Sequence, residues 1–166
     1  GLGDVYKRQN ECQVALSPKP LDIQAASEDP NLKVEKTEAF MTAFVAINTQ
    51  HPPFDKPEVR QAVNLAFDKA NYLKAVFEGT AESAAGPFPA TTWSYAKDLP
   101  GYAHDVAKAK ALVAKAGLKD GTKTTIWTRP SSSLLNPNPG LGAQLLQADL
   151  KQIGIDAEIR VIEWGE

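Results

Sequence analysis

Two histidines, a run of three serines, one cysteine and scattered carboxylates are the residues of this 166-residue chain best suited to chemistry. His51 stands beside Pro52-Pro53, and His104 lies at a helix entry. Neither has a second His, Cys or carboxylate at metal-ligand spacing such as His-Glu-x-x-His, so both read as surface histidines. A serine nucleophile would sit in a Gly-x-Ser-x-Gly elbow, and Ser131-Ser-Ser133 has no flanking glycines. Gly140-Leu-Gly142 at a helix start is too short for a dinucleotide or phosphate loop. Carboxylates such as Asp98 and Asp105 are not in a pattern that would raise a pKa. The chain therefore offers no catalytic residue, no metal ligand set and no cofactor motif.

Composition narrows the remaining classes. Lys and Arg number 18 against 20 Asp and Glu, a formal charge of −2, which lacks the basic surplus of nucleic-acid binding. Hydrophobic residues make up 43%, enough for one ordinary core or one lobe of something larger. No apolar run approaches the roughly 18 residues that suggest a membrane span. Cys12 alone forms neither an internal disulfide nor a thiolate metal site; it is a buried thiol or half of a bridge.

The ends read as cut. Gly1 to Gln9 lacks the basic and apolar regions of a secretion signal. Asp4-Val-Tyr-Lys-Arg-Gln9 looks like the translation of a transposon end used in sequencing libraries, the alternative being a native N-terminal tail. At the other end an alternating strand runs into Glu163-Trp-Gly-Glu166 and stops.

Between these ends, local patterning predicts the elements. Gln13 to Leu16 and Leu32 to Glu35 read as short strands, with a short helix over Leu21 to Glu28. Met41 to Ile47 is almost continuously apolar, as expected of a central strand covered on both faces. Asp55 is placed as an N-cap with Glu58 completing a capping box. Val59, Val63, Ala66 and Phe67 then share a helical stripe. A second helix carries Tyr72, Leu73, Val76 and Phe77 and ends at Gly79. Gly86 to Gly101 is a loop in which Trp93 and Tyr95 either anchor the segment or point into a cleft. A third helix runs from a cap at Asp105 to Gly117 through Val106, Ala109, Leu112, Val113 and Ala116.

The last third has the most regular pattern. Thr124 to Thr128 is a strand, Ser131 to Pro139 a loop, and Gly140 to Ile153 a helix closed by Gly154. In the following strand Ile155, Ala157, Ile159 and Val161 alternate with polar residues. Strand, helix and strand make a βαβ unit, and ligands of such sheets sit beyond the carboxyl ends of the strands. That rule singles out the loop from Thr128 to Pro139.

The run Phe54-Asp-Lys-Pro-Glu-Val-Arg-Gln-Ala-Val-Asn-Leu-Ala-Phe-Asp-Lys69 closely resembles the start of the second lobe of the extracytoplasmic peptide-binding proteins, the family-5 solute receptors of ATP-driven importers. Further matches follow in order. They include Pro89-Ala-Thr-Thr-Trp-Ser-Tyr95, Tyr102-Ala-His-Asp105, Asn136-Pro-Asn-Pro139, Gln147-Ala-Asp-Leu-Lys-Gln-Ile-Gly-Ile155 and Glu163-Trp-Gly165. The dipeptide-binding branch is the most similar.

The resemblance implies an α/β fold, a periplasmic-binding-protein-like lobe with a mixed sheet and flanking helices, present as a fragment of a two-lobed receptor. Residues 10–40 would be the tail of the first lobe and 41–166 the crossing strand with the N-terminal half of the second. It also implies a monomer in the periplasm or at the outer face of the cell membrane, binding short peptides without breaking a bond and delivering them to a membrane permease. In the family an arginine holds the peptide carboxyl end and a carboxylate the amino end; the latter would lie beyond Glu166.

Dipeptide binders often carry Arg-Pro-Tyr before Asn-Pro-Asn, where this chain has Ser133-Leu134-Leu135. Ser133 then occupies the arginine position, and Arg129 either supplies the charge from another angle or is a surface residue. Arg129, Ser133, Leu135, Asn136 and Trp93 are the expected ligand contacts. Other solutes remain open (an oligosaccharide, a nickel complex, an opine or haem), as does a small α/β hydrolase.

Overall fold

The computed structural model describes residues 13–16, 18–96, 98–163 and 165. Cys12, the stretch from Gly1 to Gln9 and Trp164 therefore lie outside the described residues. The elements are α1 (Pro20–Glu28), α2 (Pro57–Ala66), α3 (Lys69–Tyr72), a π-turn (Leu73–Phe77), α4 (Val106–Lys115), β1 (Thr122–Thr128), α5 (Pro139–Gln152) and β2 (Ile155–Val161).

Proline sets three of the helix starts. α1, α2 and α5 each begin with Pro at the first helical position, where a missing N–H costs nothing. Its ring also forces the preceding residue out of the helical region. At α2 that residue is Lys56, extended at φ −86° and ψ 124°, so Lys56 is the N-cap and makes no side-chain cap bond. The capping box expected at Asp55 is therefore displaced by Pro57, and α5 begins one residue before Gly140 for a related reason.

Other caps form as the sequence suggests. Asp105 caps α4 by accepting the Lys108 N–H at 2.8 Å. That helix closes in a Schellman motif, with the Gly117 N–H donating to Ala114 O at 2.9 Å and the Leu118 N–H to Val113 O at 3.2 Å. Gly117 supplies the φ of +72° that this closure needs. At the π-turn the left-handed position expected for Gly79 falls first on Glu78, φ 50°, with Gly79 following at φ 80°.

β1 and β2 pair in parallel, with Ile126 opposite Ile159 and Trp127 opposite Arg160, and α5 makes the crossover between them. One core joins the layers. Val59, Ala62 and Ala66 of α2, Ala109 of α4 and Ile155 of β2 are fully buried. Val63, Leu65, Val113, Leu146, Leu150 and Ile153 complete the cluster. The stripe read on α2 is thus the core face, with Phe67 only half-buried against it.

Three expected strands do not form. None of Gln13 to Leu16, Leu32 to Glu35 and Met41 to Ile47 is a strand among the described residues. Met41, Phe44 and Val45 are exposed in place of being doubly covered. An apolar run gives a segment its appetite for burial, but a strand exists only where a partner completes its hydrogen bonds. Val161, expected on the buried face of β2, is 60% exposed.

Candidate functional site

The loop between β1 and α5 is pinned at both ends. The Ile162 N–H donates to Thr128 O at 2.9 Å, extending the ladder past β1. The Thr128 hydroxyl donates to Pro139 O at 3.2 Å, drawing the loop's two ends together. Asn138 caps α5 by accepting the Leu141 N–H at 3.2 Å. Within the loop Ser133 and Asn136 form an isolated antiparallel pair, and the Ser133 hydroxyl also accepts the Asn136 N–H at 3.2 Å. The result is a tight hairpin at the carboxyl end of β1, where parallel sheets present their ligand sites.

Of the expected contacts, Ser133, Leu135 and Asn136 are brought together by that hairpin. Leu135 shares its tip with Leu134, and both side chains are exposed. Asn136 Oδ1 is buried without a hydrogen-bond partner, a state that buried acceptors seldom keep. Arg129 is exposed and directly follows β1. Trp93 stands on a separate turn, 98% exposed. There the Tyr95 N–H donates to Thr92 O at 2.9 Å, and the Thr92 hydroxyl is buried and unpaired.

The neighbouring surface is organised by charge. Trp127 on β1 lies under the Arg160 guanidinium, 5.6 Å from its ring centre, and Glu158 holds Arg160 at 3.1 Å. Towards the amino ends of the strands, Asp156 is bonded to Lys123 at 2.8 Å and to Lys151. These two hydrogen-bonded ammonium groups hold its carboxyl at about 2. A shallow depression lined by Lys123, Thr125, Asp156 and Glu158 lies there, at the end of the sheet away from the hairpin. Its charges already satisfy one another.

The contact that local pattern did not reveal is made by Asp149. It is 9% exposed on the core face of α5, and its Oδ2 accepts the Asp68 N–H at 2.9 Å across the α2–α3 turn. The only sequence signal is an acidic residue inside the stripe of Leu146, Leu150 and Ile153. Nearby, Tyr72 packs so closely on α5 that a Cβ at Gly142 would lie 3.1 Å from its ring. Burial pushes the Tyr72 hydroxyl pKa up. These contacts fix the helix on which the candidate loop ends.

No group of three or more His, Cys, Asp or Glu is placed to hold a metal among the described residues. Nor is any helix among them long and apolar enough to cross a membrane.

Comparison with known proteins matches this arrangement to a family. The bacterial extracellular solute-binding proteins, family 5 middle region, match residues 6–166. The chain is 65% identical over 159 residues to a probable di/tripeptide-binding protein of Pseudomonas aeruginosa, spanning 96% of this chain and 30% of that protein. It is 37% identical over 155 residues to haem-binding protein A of Haemophilus influenzae, covering 93% of this chain and 28% of the relative. Among solved structures it resembles the periplasmic binding protein DppA of Helicobacter pylori in complex with the peptide STSA. That match has a TM-score of 0.86 at 35% identity and covers 99% of this chain and 31% of the other. The chain thus spans about 30% of the length of the curated relatives it matches. With the family match running from residue 6 to residue 166, the chain belongs to the bacterial extracellular solute-binding proteins of family 5.

Proposed function

We propose that this chain is part of a receptor for di- or tripeptides that works outside the cytoplasmic membrane and delivers its ligand to an ATP-driven importer. The observation that carries this reading is the 65% identity to a probable di/tripeptide-binding protein along nearly the whole chain. Residues 41–166 would supply the crossing segment, a strand only once a partner in the complete protein pairs with it, and the first half of the second lobe, with the tail of the first lobe before them. The complete protein would act as a monomer, without catalysis, by closing on its ligand and docking on the permease.

In this reading the hairpin after β1 meets the peptide. Arg129 offers a guanidinium to the peptide carboxylate, a match of planar donors to paired oxygens. Ser133, whose oxygen already accepts from the Asn136 N–H, keeps a hydroxyl proton to donate. Asn136 Oδ1 is an acceptor awaiting a donor, reached once the hairpin adjusts to ligand. Leu135 would line a side-chain pocket, and Trp93 would contribute an aromatic face from its separate turn.

A second reading rests on the 37% identity to haem-binding protein A: the solute would be haem and not a peptide. A thermal-shift panel on the complete protein distinguishes the two. A ligand that binds only the folded state adds up to about 3 kcal/mol at a hundredfold excess over its Kd. A rise in melting temperature with di- and tripeptides and none with haem supports the peptide receptor. The reverse pattern overturns it and leaves the receptor family standing.

A further inference from the structure

The open face of the sheet carries a positioned cation beside the candidate loop. Ile126 and Ala157 pack on the core, so alternation turns Trp127, Glu158 and Arg160 to the other side. Parallel strands covered on both faces read as near-continuous apolar runs. These two strands alternate, so their second face is suited to polar contact. Trp127 and Arg160 are register partners, one rung before Thr128 and Val161 close the ladder at its carboxyl end. Arg129 opens the loop two residues after Trp127.

The Arg160 guanidinium is held from two sides. Trp127 lies beneath it, with the ring centre 5.6 Å from Cζ. Glu158 takes its side fork, Nε donating to Oε1 at 3.1 Å and Nη2 to Oε2 at 3.3 Å. A guanidinium has a second fork at its end, formed by the outer N–H groups of Nη1 and Nη2. Among the described residues no hydrogen bond fills that end fork, and the Arg160 side chain is 53% exposed. We propose that Arg160 is a specificity residue whose end fork takes an acidic side chain of the bound peptide, Trp127 and Glu158 holding it in place.

This assignment rests on the peptide-receptor reading and divides the work between two arginines, Arg129 for the terminal carboxylate and Arg160 for a second one. The planar fork matches the paired oxygens of a carboxylate. In open solvent such a contact is worth little, but a cleft that closes and expels water strengthens it. Glu158 balances the Arg160 charge when the ligand has no acid, and by occupying only the side fork it leaves the end fork accessible. A glutamine side chain fills the same space as glutamate but brings one acceptor oxygen and no charge. The site therefore prefers acidic peptides without requiring them.

The test is calorimetric titration of the complete protein and of its Arg160→Gln variant with the dipeptides Ala-Glu and Glu-Ala and their neutral counterparts Ala-Gln and Gln-Ala. The wild type should bind at least one acidic peptide about tenfold more tightly than its counterpart, the scale of a charged hydrogen bond. Arg160→Gln should abolish that preference and leave the affinity for the neutral peptides as it was. Arg160→Lys keeps the charge and loses the fork, so it should retain only part of the preference, and it carries the test if Arg160→Gln does not fold. Equal affinity for acidic and neutral peptides in the wild type overturns the proposal. So does an equal loss for both kinds in Arg160→Gln, which would put the terminal carboxylate on Arg160, or tighter binding of Ala-Lys, which would make Glu158 the reading group. Failure of every peptide to bind would instead sink the peptide-receptor reading, and this proposal with it.

Discussion

Ser133 and Asn136 exchange both backbone hydrogen bonds, N···O 3.0 and 3.1 Å, across the two leucines at the tip of the β1–α5 loop. This pair turns a proline-rich connection into a defined hairpin, and it places the candidate contacts by backbone and not by side-chain packing. Ser133→Ala keeps both backbone bonds and loses only the hydroxyl. We expect a stability change of about 1 kcal/mol or less, with a larger proportional loss in peptide affinity. Melting temperature and Kd measured on the same preparation separate the two effects.

Arg129→Met removes a guanidinium while keeping an unbranched side chain. If Arg129 holds a peptide carboxylate, affinity for free dipeptides falls by about 1.5–3 kcal/mol, roughly ten- to a hundredfold. Affinity for the amidated peptides stays as it was. Calorimetric titration of both peptides into the variant reads this directly, and equal losses would remove Arg129 from the site.

Gly154 and Gly117 both have positive φ, at 81° and 72°, but their surroundings differ. A Cβ on Gly154 would lie 2.8 Å from Asp120 Oδ1, whereas one on Gly117 meets nothing within 4 Å. Gly117→Ala should cost about 1–2 kcal/mol for the left-handed backbone alone. Gly154→Ala should cost more, because Asp120 must also move. Chemical denaturation of the two variants orders them.

Leu150 is 3% exposed in the core that unites α5 with α2 and the sheet. Leu150→Ala should destabilise by about 2–5 kcal/mol, the range for a large core side chain cut to a methyl group. The measurement is the shift of the denaturation midpoint.

Asp156 predicts a loss of stability in acid. Lys123 and Lys151 hold its folded pKa at about 2, below the ordinary 3.8. Its contribution is present above the ordinary value and is lost as pH falls towards 2. Urea midpoints taken from pH 5 downward should fall more steeply for the wild type than for Asp156→Asn. Parallel curves would contradict the linkage.

The βαβ unit was readable because its signals are local. Alternation in Ile155 to Ile159, the α5 stripe and the caps at Asp105 and Gly117 each lie within one or two turns of chain. Boundaries slipped where two local rules compete, as at α2, where Pro57 overrides the cap preference of Asp55. Met41 to Ile47 misled because doubly buried strands and unpaired extended segments share the same apolar composition. Asp149 could be noticed in the stripe, but its partner Asp68 lies 81 residues away and no periodicity connects them. The candidate loop was located by the strand-end rule, while the Ser133–Asn136 pairing required the folded backbone.

The central claim is peptide reception, and calorimetric titration of the complete protein with one dipeptide, its carboxyl free or amidated, tests it most directly. The account predicts one-to-one binding of the free dipeptide and at least tenfold weaker binding of the amide, the scale of a lost charged hydrogen bond. No heat with a broad set of free di- and tripeptides, while another solute binds one-to-one, would contradict it.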